Sequence, residues 1–189
     1  MDHFIHPLAD VHTTKIGKET TIWQFTIVLE GAEIGSNCNI NSHCFIEEQV
    51  VLGDNVTLKC GVYIWNGIKL GNNVFVGPNV TFTNDNSPIS RNKNAVLLKT
   101  FIEDYVSIGA ATTILPGLII SYGSFIAAGS VLTKNTEPFG VYLGNPAKKV
   151  GFRALNGEMI DLNLYDKSGN KYVLNSNGPV PTLGKLENK

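Results

Sequence analysis

A large apolar residue returns every six positions along most of this chain: Ile16, Ile22, Val28, Ile34, Ile40, Ile46, Leu52, Leu58, Ile64, Leu70, Val76 and Phe82. Two residues before each stands a small, β-branched or compact side chain: Thr14, Thr20, Thr26, Ala32, Cys38, Cys44, Val50, Val56, Val62, Ile68, Val74 and Val80. Residues two apart on a strand share a face, so "small, x, large" reads as the inward side of a very short strand. A helix needs a period of 3.6, and hairpins need longer strands with turn signals every 8 to 12 residues, so neither fits. Glycine follows the large residue at Gly17, Gly35, Gly53 and Gly71, an interval of 18. Three hexads therefore make one coil of a prism, each hexad a flat side, and each coil climbs about 4.8 Å, the spacing of hydrogen-bonded strands. The glycines suit corners that need positive φ or close backbone approach.

The pattern restarts at Ile102, Ile108, Ile114, Ile120, Ile126 and Leu132, preceded by Thr100, Val106, Thr112, Leu118, Ser124 and Ser130. Between the two runs, residues 84–99 (NDNSPISRNKNAVLLK) lose the phase and read as an extruded loop, long enough to suggest a function. Twelve hexads before it and six after it give about six regular coils above an irregular N-terminal start. After Leu132, Pro138, Gly140, Gly144, Asn145 and Pro146 mark departure from the prism. Ile160, Leu162 and Leu164 alternate, a polar turn follows at Asp166–Asn170, and Tyr172–Leu174 returns, which predicts a small terminal hairpin. The expected division is an all-β prism over 1–150 and a hairpin and tail over 151–189, with 175–189 poorly ordered.

Composition excludes several roles. Net charge is −1 and charged residues make up 16% of the 189, so no basic field points to nucleic acid or acidic membranes. The opening Met-Asp-His-Phe-Ile-His has no basic and apolar signal regions, and no apolar run approaches the ~18 residues of a membrane span. Three cysteines without a CxxC pair fit a reducing compartment, with Cys38 and Cys44 as core fillers and Cys60 unpartnered. The expectation is a soluble, cytoplasmic protein.

Hexads ending in Gly-Ser-Val-Leu-Thr-Lys (129–134) and Leu-Gly-Asn-Pro-Ala-Lys (143–148) closely resemble those of the hexapeptide-repeat acyltransferases over roughly residues 4–153. The resemblance implies a left-handed parallel β-helix and a homotrimer with sites between subunits; the handedness does not follow from the usual crossover rule. Ile22-Trp23-Gln24-Phe25, Gly77-Pro78-Asn79 and Phe82-Thr83-Asn84-Asp85, with Arg91 in the loop, are similar to the N-acetyltransferases of nucleotide-linked 3-amino sugars. Those enzymes serve O-antigen, S-layer and related surface glycans. The implied activity is acetyl transfer from acetyl-CoA to the 3-amino group of a dTDP-linked 3-amino-3,6-dideoxyhexose. A UDP-3-amino-glucuronate acceptor, or an O-acetyltransferase acting on a sugar or amino acid, is the alternative.

Residues 18 apart stack on one corner, so Glu30, Glu48, Asn66 and Asn84 should form a column, flanked by Glu47, Trp65 and Thr83 and by Gln49 and Asp85. Such carboxylates and amides beside a loop can hold sugar hydroxyls and an amine. Acyl transfer needs a deprotonated amine, a held carbonyl and a proton route. The histidines, His3, His6, His12 and His43, all lie outside the loop and the later coils. Asp85 is therefore the candidate base and Glu48 the second, unless the amine enters neutral; Asn84 would position the amine or the developing oxyanion. Gln24, Glu47, Trp65, Asn66, Thr83 and Arg91 are the candidate acceptor contacts. Coenzyme A is expected along Gly109, Ala110, Ala111, Ala127, Ala128 and Gly129, whose small side chains leave backbone open to pantetheine, with Lys134, Lys148, Lys149 and Arg153 near its phosphates. No metal is expected: a zinc-dependent carbonic anhydrase on the same prism needs three histidines at spacings this chain lacks. A purely structural prism would be expected to lack the loop and the Asn84–Asp85 pair.

Overall fold

The computed structural model describes residues 2–181. Its strands, most of two residues, lie on three sides in turn and pair in parallel with the strand one coil away. The first face stacks Phe4–Ile5, Thr21–Ile22, Asn39–Ile40, Thr57–Leu58, Phe75–Val76, Ser107–Ile108, Phe125–Ile126 and Gly140–Leu143, and continues with antiparallel Lys148–Arg153 and Met159–Ile160. The second stacks Asp10–Val11, Ile27–Val28, Phe45–Ile46, Tyr63–Ile64, Thr81–Phe82, Thr113–Ile114 and Val131–Leu132. The third holds Glu33–Ile34, Val51–Leu52, Ile68–Leu70, Thr100–Ile102 and Ile119–Ile120. Register follows the sequence clock: Asn39 pairs with Thr57 and Thr57 with Phe75, 18 apart, whereas Phe75 pairs with Ser107 across the insertion.

Each strand is so short because only two inward positions fit along a side. The large residue fills the axis: Ile22, Ile40, Ile46, Leu58, Ile64, Phe82, Ile108, Ile114, Ile120, Ile126 and Leu132 are fully buried. Burial of each contributes about 1.5–3 kcal/mol. Where a buried small position is polar, its hydroxyl bonds the backbone, Thr20 Oγ1 donating to Gly35 O (2.7 Å) and Thr26 Oγ1 to Asn41 O (2.9 Å), and Thr100 Oγ1 accepting from Gly117 N (3.0 Å). Among the described residues no buried side-chain polar atom lacks a partner. Cys38 and Cys44 are buried core fillers and Cys60 is exposed, as the pattern implies. The first hexad departs from the clock: Thr14 is exposed, and Thr13 is buried instead, donating to Ala32 O at 2.6 Å.

The glycines of the 18-residue interval are required by close approach rather than by φ. A Cβ on Gly35 would lie 2.4 Å from Gly53 O, and one on Gly17 would lie 2.4 Å from the Gly35 carbonyl carbon. Left-handed φ falls elsewhere on the corners: at Phe25, His43, Gly61, Asn79, Ala111 and Gly129 between the first and second faces, and at Glu19, Asn37, Asn55, Asn73, Tyr105 and Gly123 between the third and first. Asparagine tolerates this region better than most residues. It also bonds up the stack, Asn37 Nδ2 donating to Asn55 Oδ1 at 2.7 Å.

The upper end is closed by the chain that follows Leu132. Val131 N donates to Gly144 O, Ala147 N to Val131 O and Thr136 N to Ile119 O, so the last rung does not present a bare edge. Lys148–Arg153 runs across residue 150, carrying the first face into the C-terminal appendage, whose small core is Phe152, Ala154, Ile160 and Tyr172. The terminal hairpin is present with different pairing from that expected. Tyr172–Asn175 pairs with Gly178–Pro181, and the segment before the Asp166–Asn170 turn contributes only the bridges Ile160–Asp166 and Tyr165–Lys171. The tail expected to be poorly ordered therefore supplies a strand at 178–181, and the rest of it, 182–189, lies outside the described residues.

Candidate active site

The corner between the second and third faces carries the predicted column. Asn66 lies between Glu47–Glu48 below and Thr83–Asn84 above, joined by hydrogen bonds rather than by proximity alone. Glu47 Oε2 accepts from Asn66 N at 2.6 Å, Asn66 Oδ1 accepts from Gln49 N at 2.9 Å, and Asn66 O accepts from Asn84 Nδ2 at 3.2 Å. Trp65 donates its indole N–H to Phe82 O at 2.9 Å, and Thr83 donates its hydroxyl to Ile114 O at 2.9 Å. Each rung thus grips the next through the residues expected to meet the acceptor.

Asn84 is the last residue of its rung and the first of the loop. Its carbonyl accepts from Leu98 N at 2.7 Å, and Thr100 N returns to Gly67 O at 3.1 Å, closing the neck of the insertion. Leu98 lies over Gly117, where a Cβ would come 3.3 Å from Leu98 Cδ1. The sequence reading did not single out Leu98, although an apolar Leu97–Leu98 pair just before the clock restarts is a signal for an anchor. Asp85 is half-buried and its Oδ1 accepts from Ser87 N at 2.8 Å, a turn that fixes the carboxylate and leaves Oδ2 without a partner among the described residues. Glu48 is exposed; Arg91, with φ 60°, lies on the exposed outer part of the loop.

Other predicted residues lie on different parts of the prism. Gln24 follows Ile22, so it sits on the first–second corner, the width of a face away from Asn84. Gly109, Ala110 and Ala111 share that corner with Ala127 and Ala128 one coil above them, next to the closing strand Gly140–Leu143. Gly109 is held by packing, since a Cβ there would lie 2.4 Å from Ala128 N, whereas Gly129 has open space around it. Lys134 follows Leu132 and belongs to the Asn84 corner. It joins Lys148 around a concavity of about 360 Å³ also lined by Thr133, Asn135 and Tyr142. Neither lysine has an ion-pair partner among the described residues. Lys149 is paired with Glu137 at 2.6 Å and lies over the Phe152 ring. Arg153 lies against the outside of the first face, its guanidinium 4.8 Å from the Phe125 centroid and Nη2 donating to Ser107 Oγ at 3.0 Å; burial holds its pKa below the ordinary value.

The second face also shows a feature that the sequence reading passed over. Phe25, Ile27, His43, Phe45, Tyr63 and Trp65 line an open groove of about 410 Å³, with His43 stacked on Phe25 at 5.2 Å. Their signal in the sequence was the middle position of the hexad, aromatic or aliphatic at Ile27, Phe45 and Tyr63 where a solvated side would carry polar residues.

Two family models match the chain: the bacterial transferase hexapeptide (six repeats) at residues 13–48 and 49–84, and the hexapeptide repeat of succinyl-transferase at residues 31–66 and 99–134. A dTDP-3-amino-3,6-dideoxy-alpha-D-galactopyranose 3-N-acetyltransferase of Aneurinibacillus thermoaerophilus is 51% identical over 149 residues, 79% of this chain and 78% of that enzyme. Among solved structures, LpxA, a UDP-N-acetylglucosamine acyltransferase from Bacteroides fragilis, matches with TM-score 0.66 at 19% identity, covering 80% of this chain and 61% of that one. A hexapeptide-repeat acetyltransferase from Vibrio cholerae complexed with acetyl coenzyme A matches with TM-score 0.53 at 24% identity, covering 61% and 64%. The chain belongs to the hexapeptide-repeat acyltransferases, and its fold is their left-handed parallel β-helix.

Proposed function

We infer that this protein is an N-acetyltransferase that moves an acetyl group from acetyl-CoA to the 3-amino group of a dTDP-linked 3-amino-3,6-dideoxyhexose. The observation that carries the reading is the half-identity, over most of both chains, with the Aneurinibacillus enzyme named for that reaction. The corner chemistry supports the acceptor class. Glu47, Glu48 and Asp85 make the corner acidic, which would repel a uronate carboxylate and tolerates a 6-deoxy sugar better.

In this reading Asn84 positions the amine. One N–H of its Nδ2 goes to the Asn66 carbonyl, which leaves Oδ1 to accept an amine N–H and the second N–H for a developing oxyanion. The amine nitrogen bonds to the thioester carbonyl carbon, the C–S bond breaks, and the proton lost by nitrogen passes to the free Oδ2 of Asp85 and then to the departing thiolate or water. Glu48 stands two rungs below Asn84, roughly 10 Å at the usual strand spacing, so it is better placed for a sugar hydroxyl than for the same proton. Asn66, Glu47, Trp65, Thr83 and Arg91 surround the acceptor, and Gln24 would reach it only across a subunit boundary.

The coenzyme would run along Ala110, Ala111, Ala127, Ala128 and the open Gly129, a corner that, like Gln24, would meet the Asn84 corner only across a subunit boundary, with its phosphates toward Lys134 and Lys148. The two unpaired lysines in one concavity support this, whereas the Phe125 and Ser107 contacts of Arg153 support a packing role. We also propose a homotrimer with sites between subunits. The second face offers exposed Phe25, Ile27 and Tyr63 for association. A cytoplasmic location and a role in surface glycan synthesis accompany this reading; among the described residues no helix is long and apolar enough to cross a membrane.

The test is a panel of dTDP- and UDP-linked 3-amino sugars and hydroxyl acceptors with acetyl-CoA, followed by free-thiol release and product mass. Turnover of the dTDP-3-amino-3,6-dideoxyhexoses is expected. Turnover of hydroxyl acceptors alone would replace the reading with an O-acetyltransferase.

A further inference from the structure

The column beneath Asn84 contains a carboxylate whose visible partner is the backbone. Glu47 Oε2 takes the N–H of Asn66 at 2.6 Å, the shortest link in the corner. The backbone of Asn66 is held again on the far side of its Cα, where the carbonyl of the following peptide receives Asn84 Nδ2. The partners dictate the direction of both side-chain amides. A carbonyl can only accept, so Asn84 must turn its NH2 toward Asn66 and its Oδ1 outward. The Gln49 N–H can only donate, so Asn66 must turn Oδ1 toward it and keep Nδ2 outward. The corner therefore presents an acceptor, Asn84 Oδ1, one rung above a donor, Asn66 Nδ2.

We propose that Glu47 is a positioning residue of the transfer site, acting through the Asn66 backbone, the two peptide groups on either side of its Cα, to fix the outward acceptor of Asn84 and the outward donor of Asn66. This rests on the reading in which Asn84 meets the amine. The matched ligand is an amine beside a hydroxyl: the amine donates to Asn84 Oδ1, and the neighbouring hydroxyl oxygen receives Asn66 Nδ2. Without the carboxylate, the Asn66 N–H turns to water, the backbone about its Cα can rock, and Asn84 loses the fixed carbonyl that sets its amide. The acceptor then sits beside an NH2 as often as beside an oxygen. A misplacement of that kind is felt in the chemical step, where about 1 Å can cost 10²-fold, more than in binding.

The experiment compares wild type, Glu47→Ala, Glu47→Gln, Asn84→Ala and the Glu47→Ala/Asn84→Ala double variant, by thiol release with acetyl-CoA and the amino-sugar acceptor, with thermal melts of each. Glu47→Ala is expected to lower kcat on the order of 10-fold or more, with KM for acetyl-CoA unchanged. Glu47→Gln keeps an oxygen for the Asn66 N–H and is expected to recover most of that loss. In the double variant the Glu47 effect should vanish, because two residues acting through one group are not additive. Full additivity, a Glu47→Ala enzyme with wild-type kcat, or a loss confined to acceptor KM would overturn the proposal while leaving Asn84 in place. An Asn84→Ala enzyme with wild-type kcat would instead remove Asn84 from the site, and the positioning role of Glu47 with it. If Glu47→Ala melts early, Glu47→Gln decides: a folded Gln variant as impaired as Asn84→Ala refutes a role that only needs an acceptor oxygen.

Discussion

Replacing Ile64 by Asp places one carboxyl on the prism axis, where Ile64 is fully buried, paired in register with Ile46 and bordered by Phe82 on the next rung. The lost side-chain burial costs about 1.5–3 kcal/mol, and an unsatisfied polar group in its place about 1–3 kcal/mol more. The site cannot hold the charge, so the carboxyl folds protonated. Binding that proton at pH 7 against an ordinary value near 3.9 adds about 4 kcal/mol. The total, about 8 kcal/mol, lies within the 5–15 kcal/mol that a domain has to lose. Ile64→Asn has similar shape and no proton to bind, so it isolates the last part. Because the folded state raises the pKa of the carboxyl, its stability is fully present below about pH 4 and is lost as pH rises. Denaturant midpoints read from Trp23 and Trp65 fluorescence should therefore separate the two variants strongly at pH 7 and bring them together at pH 4.5. An Asp variant as stable as wild type at pH 7, or an Asp–Asn gap that does not change with pH, would refute the inward register.

Three further outcomes are expected. Asp85→Asn should lower kcat/KM by on the order of 10² to 10⁴ with the melting temperature unchanged, the range for a lost general base; unaltered kcat/KM from pH 6 to 9 would mean that the amine binds already neutral. Lys134→Ala and Lys148→Ala should each raise KM for acetyl-CoA, with affinity falling as salt rises, whereas Arg153→Ala should lower thermal stability and leave that KM alone; titrations of the coenzyme at two ionic strengths distinguish them. Burial pushes the Cys44 thiol up to about 11 and raises that of Cys38, so mild alkylation at pH 8 should add one label, at Cys60, by peptide mass. The raised Cys44 value also favours the fold below pH 9, an advantage lost as pH climbs through 11.

The repeat was readable because two residues per side obey only burial and alternation, and Ile40 or Leu58 needs no knowledge of the rest of the chain to face inward. Thr13 took the place expected of Thr14 because the first coil has a neighbour on one side only and is free to slip. The acidic and amide column followed from counting by 18, and the same count separates Gln24, Ala110 and Ala128 from Asn84. The partners that hold or release charges were not readable. Whether Lys149 is free depends on Glu137, twelve residues earlier, and the contact of Arg153 with Ser107 spans 46 residues of sequence. Corner glycines gave an ambiguous signal, since close approach and positive φ select the same residue; Gly35 answers to the first and Gly129 to the second.

The insertion at 84–99 leaves and re-enters the stack at fixed points, with Asn84 O tied to Leu98 N and Thr100 N tied to Gly67 O. Because both feet are anchored on neighbouring rungs, the number of residues between them is not written into the scaffold. Residues 86–97 can lengthen, shorten or be exchanged at a cost that grows only with the logarithm of loop length. Loop length and architectural integrity are thereby encoded in separate stretches of the same chain. A lineage, or an engineer, could trade one such loop for another while the stacked core stays as it is.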